Sequence, residues 1–199
     1  MKLAKIKILA MVIMAAITFA ASSAFASYSY NFTVDTTSML GQTGYLELQF
    51  NPGINPGSAN AVIANYVSDA TLAGTPVLTG NVTGALPGTV TINNTTGWND
   101  YYQQVTFGSN VQFALTLNGN PNNSFALSFY GTDGLTPVLT NDTTNGFATT
   151  IDLNANGAVV NNLSNQVSVQ ATPIPAAAWL FGSGLMGLAG LRRKSKALI

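Results

Sequence analysis

The side chains that could carry chemistry in this chain are few and of one kind. Between Ile8 and Leu191 there are seven acids, Asp35, Glu47, Asp69, Asp100, Asp133, Asp142 and Asp152, and no Lys, Arg or His; Cys is absent throughout. A Ser-His-Asp or Cys-His nucleophile therefore cannot be built, and a zinc site lacks its usual nitrogen and sulfur ligands. No Lys is available in this stretch for Schiff-base chemistry or for activating a nucleophile. Glycoside hydrolysis needs only two carboxylates, and Glu47 and Asp100 are the pair that could converge for it. Scattered acids in such a setting more often face solvent or cap turns, so the expectation is a non-enzyme with no cofactor.

Two further patterns point to binding. Asp152-Leu153-Asn154-Ala155-Asn156-Gly157 matches the first half of a calcium loop, but the twelfth position is Leu163, where a bidentate carboxylate is needed. A β-hairpin turned at Asn156-Gly157, between Ile151 and Val160, accounts for the same residues, and no metal is expected there. Trp98-Asn99-Asp100-Tyr101-Tyr102 is the densest aromatic and polar cluster. Stacking rings beside carboxylate and amide groups suit a sugar, which makes Trp98, Asp100, Tyr101 and Tyr102 candidate glycan contacts; a strand burying its aromatics would look similar.

The elements that must position these residues read as strands. Apolar and polar residues alternate in Tyr28–Val34, Leu46–Phe50, Val62–Val67, Val90–Ile92, Tyr101–Phe107, Phe113–Leu117, Phe125–Tyr130, Phe147–Leu153 and Val167–Gln170. Between them lie turn formers such as Asn51-Pro52-Gly53, Pro87-Gly88, Asn118-Gly119-Asn120-Pro121 and Asp133-Gly134. About nine or ten short strands so spaced predict an all-β domain over residues 27–170, a β-sandwich of jelly-roll type. Without disulfides, burial of its core must hold it together.

The basic residues sit only at the two ends. Lys2, Lys5 and Lys7 precede an apolar run from Ile8 to Ala21 that closes in Ser22-Ser23-Ala24-Phe25-Ala26. Small residues at Ala24 and Ala26 predict a signal peptide over residues 1–26, cut before Ser27 by signal peptidase. At the other end, Ala176 to Leu191 carries no charge and is followed by Arg192-Arg193-Lys194 and Lys196. Sixteen helical residues span about 24 Å, close to a hydrocarbon core, and a transmembrane helix over residues 176–191 with its basic end in the cytoplasm leaves the body outside. Removal of both ends leaves a body with seven acids and no base, net charge −7. Such a body does not bind nucleic acid.

The C-terminal segment, residues 171–199, resembles a PEP-CTERM sorting signal in its Val-Pro-Leu-Pro-Ala variant. The residues that carry this are Pro173-Ile174-Pro175, the helix, and Arg192-Arg193, with Ile174 where Glu or Leu is usual and Thr172 where Val is usual. The resemblance implies recognition and cleavage by an exosortase, inner-membrane anchoring with the body in the periplasm beforehand, and then a cell-surface or secreted form. It also implies a Gram-negative producer of exopolysaccharide. Pro173 and Pro175 keep the preceding backbone extended, as a protease requires, and Gly184, Gly187 and Gly190 leave a groove on one helix face. Segments Gly44–Gly53, Leu86–Thr91 and Phe125–Tyr130 are similar to a group of PEP-CTERM proteins without an assigned activity. Two roles follow: a structural protein of the cell surface, extracellular matrix or biofilm, and a carbohydrate-binding module acting there.

Overall fold

The computed structural model describes residues 27–172, and the signal-peptide and sorting-signal residues lie outside that range. The described chain is all-β, apart from one 3-10 turn at Thr37–Met39, and forms two antiparallel sheets stacked as a sandwich. No helix among the described residues is long and apolar enough to cross a membrane.

One sheet has the order β13-β1-β8-β3-β6-β5, from Val167–Ala171, Ser27–Asp35, Asn110–Gly119, Ala59–Ser68, Val90–Asn93 and Val82–Gly84. The other runs β12-β11-β9-β2-β7-β4, from Gly157–Asn162, Phe147–Asn154, Asn123–Tyr130, Thr43–Pro52, Asp100–Thr106 and Thr71–Thr79. A two-residue strand, β10 (Pro137–Val138), also pairs with β9 in this sheet. Most consecutive strands cross from one sheet to the other. Each crossing places the apolar side of an alternating strand against the opposite sheet, because a period of two gives every strand one inward row.

Those inward rows make the core. Phe32, Val34, Ile63, Ile92, Leu115 and Leu117 face Leu46, Leu48, Phe50, Phe125, Leu127 and Phe129, all buried. Phe32 stacks on Phe113 of its own sheet at 4.6 Å and meets Phe125 of the other sheet edge-on at 5.8 Å, so three rings tie the layers together.

Both ends of the described chain leave from the same end of the sandwich. β1 opens at Ser27 and is paired with β13, whose last residue, Ala171, lies opposite Tyr30. The Thr172 N–H then donates to the Ser29 carbonyl at 2.7 Å. Gly119, Pro52 and Asn154 lie at this end, while Asp35, Thr43, Thr106 and Tyr130 lie at the far end.

The nine alternating runs all appear as strands. Four strands were not among those runs: β4, β5, β10 and β12. β4 carries Gly74 and Pro76 and bulges away from β7 between Ala73 and Val77. A proline and a bulge on an edge strand break alternation and also blunt the edge against pairing with another chain.

Candidate functional site

The candidate site lies on the outer face of the second sheet, where β2 is flanked by β9 and β7. The registers fix its rows: Glu47 lies opposite Ser128 on one side and Tyr102 on the other. Tyr45 lies opposite Tyr130 and Gln104, and Gln49 opposite Ala126 and Asp100. Glu47 and Asp100 are thus diagonal neighbours on adjacent strands, within side-chain reach.

The structure brings these two carboxyl groups into hydrogen-bonding contact. Burial, the Glu47 charge and the hydrogen bond to Glu47, in that order, push the Asp100 carboxyl up to about 7. Two carboxylates this close cannot both ionise freely, so the pair holds one proton between them. Tyr130 Oη donates to Glu47 Oε2 at 2.9 Å. Burial and then the Glu47 charge push the Tyr130 phenol up to about 12, and burial and then Tyr45 do the same for Tyr102. Ser128 Oγ, buried on the other flank of Glu47, hydrogen-bonds the Tyr130 phenol. Carboxyls in mutual contact leave no room for a sugar between them, so the pair does not have the spacing of a glycosidase.

Next to the pair, toward the far end, Tyr45 and Tyr102 stack at 4.7 Å with 14° between their planes. Tyr102 Oη donates to the Gly134 carbonyl at 2.7 Å, which fastens the loop after β9 over the rings. Gly134 has φ +68°, and a Cβ there would come within 2.9 Å of the Tyr102 oxygen and 3.2 Å of the Tyr45 ring. Only glycine fits that turn. A groove of about 460 Å³ runs along this stack, with Val77 and Gly74 of the β4 bulge on one side and Gln104, Asp133 and Gly134 on the other.

The four residues proposed as glycan contacts do not form one surface. Trp98 is 52% exposed in the loop before β7, near the end where the chain termini leave. Asp100 belongs to the carboxyl pair, and Tyr102 lines the groove. Tyr101 is fully buried on the opposite face. It accepts the Leu86 N–H at 3.0 Å and lies 3.2 Å from Gln103 Oε1 as donor. This corrects its assignment: successive residues of a strand point to opposite faces, and Tyr101 shares the inward row with Val105. Asn99 of the same run is a bracket for the loop. Its N–H donates to Asn51 Oδ1 at 2.7 Å and its Nδ2 to the Phe50 carbonyl at 3.2 Å.

Asp152 is held by protein donors. Ser124 Oγ donates to its Oδ1 at 2.6 Å and Asn161 Nδ2 to its Oδ2 at 2.7 Å. It sits within the β11–β12 ladder opposite Val159, in a hairpin whose two linking residues are Ala155 and Asn156, one position earlier than expected. Among the described residues no group of three or more His, Cys, Asp or Glu could hold a metal.

The other acids cap turns. Asp69 accepts from the Ser109 and Asn110 N–H groups and from Ser109 Oγ, and Asp133 from the Leu135 and Thr136 N–H groups and Thr136 Oγ1. These donors hold both carboxylates down at about 2. Asp35 and Asp142 are lowered in the same way by Thr37 and by Asn145. The sequence reading missed Tyr45 and the Gly134 loop. The pairing of β2 with β7 that brings the two tyrosines together has no local sequence signal.

Ala24 and Ala26 of the signal-peptide cleavage site, and Pro173, Ile174, Pro175, Arg192 and Arg193 of the sorting signal, lie outside the described residues; Ser27 opens β1. No protein-family model matches the chain. Neither a curated protein nor a solved structure matches it significantly.

Proposed function

We propose that this chain is an exported surface protein, directed by a signal peptide over residues 1–26 and sorted by an exosortase acting at Pro173-Ile174-Pro175. Its sandwich, of jelly-roll type, serves as a structural unit of an exopolysaccharide-linked matrix or biofilm. The observation that carries the reading is the segregation of charge: every basic residue lies in one of the two terminal segments, and the sandwich between them has none. The alternation of consecutive strands between the sheets supports the jelly-roll description. Departure of both chain ends from one end of the sandwich supports a tethered precursor, with the far end presented outward.

The test is to follow the full chain through membrane and surface fractions beside a Pro173→Ala/Pro175→Ala variant and an Arg192→Ala/Arg193→Ala variant. Wild type leaves the membrane as a shortened form, and both variants accumulate there uncut. Equal release of all three sinks the sorting reading.

A second reading, a carbohydrate-binding module, is favoured by the stacked Tyr45 and Tyr102 in their groove at the far end. Binding to exopolysaccharide or a glycan array that Tyr45→Ala abolishes supports it. Binding lost only in Trp98→Ala puts the contact at the tether end instead.

A further inference from the structure

The two sheets end in the edge strands β4, β5, β12 and β13, which are not equally guarded. β4 carries Pro76 and its bulge, β5 is only three residues long, and β13 is followed at once by Pro173. β12, Gly157–Asn162, has no proline, no bulge and no charge. Natural sheet edges are blunted by such devices, Lys above all, and this body has no Lys. The Leu163 N–H donates to the Ala148 carbonyl at 3.0 Å. Hydrogen-bonded positions alternate along an antiparallel ladder, so Gly157, Val159 and Asn161 bond β11, while the N–H and C=O groups of Ala158, Val160 and Asn162 point away from it. Among the described residues no strand pairs with that side. Val159, on the outer face, and Val160, on the inward row, are 48% and 38% exposed. Val160 lies opposite the fully buried Ile151 and stays open because no described strand flanks it.

We propose that β12 is the contact through which two copies of this chain pair, antiparallel and about a two-fold axis at Val160, so that the second sheet runs on from one body into the next. In that register Val160 meets Val160 of the second copy and Ala158 meets Asn162 in both directions, which gives about six hydrogen bonds between the backbones. The valines on both faces, open in a single body, are covered in the pair. An open edge reads backbone rather than side chains, so its partner must itself offer an extended, uncharged strand. β12 meets that requirement, and the interrupted β4 does not. Charge selects the same flank. A body of net charge −7 repels its copy wherever acids front the contact, and β12 holds none. Asp152, one strand in, already accepts from Ser124 and Asn161. Asp142, near the end of β12, would meet the uncharged turn Asn154-Ala155-Asn156 of the second copy. The pairing does not depend on how the chain is sorted.

The chain has no cysteine, so a single introduced one reports the contact. Mild oxidation of the full chain carrying Val160→Cys, in detergent, is expected to give a covalent dimer, because paired residues at such a position bring their Cα atoms to about 5.5 Å, within disulfide reach. Val77→Cys, exposed on β4, should stay mainly monomeric. Val160→Pro removes an N–H that β11 does not use and should lower the association constant of the full chain in sedimentation about tenfold or more. Circular dichroism checks that each variant is folded, and if the proline variant fails that check, Val160→Lys takes its place. A folded Val160→Cys chain that does not cross-link overturns the proposal, as does equal cross-linking through Val77→Cys. A dimer that persists unchanged in the folded proline or lysine variant, held by the C-terminal segment or elsewhere, overturns it as well.

Discussion

Asp100→Asn is expected to stabilise the sandwich at pH 8. Two unit charges about 4 Å apart repel by about 4 kcal/mol at an effective dielectric constant near 20. Solvent at the rim of a sheet face screens part of this, and about 2 kcal/mol is a fair net figure. The sign follows from the folded Asp100 carboxyl, which lies at about 7 against an ordinary 3.8. Folding therefore binds a proton, and the stability it contributes is complete below pH ~4 and lost as pH rises through about 7. The groups facing the pair are Tyr45, Tyr102 and Tyr130, and the latter two lie at about 12, outside this window. Asparagine replaces the shared proton with an amide donor to Glu47 at every pH. Urea unfolding followed by circular dichroism at pH 5 and pH 8 should show wild type losing about 2 kcal/mol over that interval while the variant stays nearly flat. At pH 8 the variant should melt roughly 5 °C higher. A variant less stable than wild type at pH 8, or one with the same pH slope, refutes the assignment of the pair.

Other consequences follow from neighbouring features. Phe125→Ala removes the ring that meets Phe32 across the two sheets and should cost about 3–5 kcal/mol in urea unfolding, among the largest losses for a single site. Asp69 behaves opposite to Asp100: held at about 2 by Ser109 and Asn110, it contributes stability above its unfolded value that is lost as pH falls through about 2. Asp69→Asn should therefore reduce the dependence of melting temperature on pH below 4. Trypsin should leave the stretch from Ile8 to Leu191 uncut even in urea, since it holds no Lys or Arg; fragments arising inside it on a gel would contradict this.

Much of the fold was legible because alternation and burial share one cause. Leu46, Leu48 and Phe50 repeat every second residue, and so do Phe125, Leu127 and Phe129; each set faces the core. β4 was not legible, because both its faces are largely open and Gly74 and Pro76 interrupt it, leaving no alternation to read. Tyr101 could have been assigned correctly, since it stands in the same two-residue period as Val105 and Phe107, whose rows are buried. The aromatic run hid that parity. Glu47 and Asp100 were recognisable as a pair that could converge, but their contact depends on the register of β2 against β7. Nothing local in either segment encodes it. The stack of Tyr45 on Tyr102 depends on the same pairing.

Export followed by removal of the C-terminal segment would be recorded in the intact mass of the cell-surface form. A mass that begins at Ser27 and ends close to Pro175, with or without an added group, is the predicted result. A mass that includes Trp179 to Leu191 would identify the segment as a permanent anchor and contradict the account.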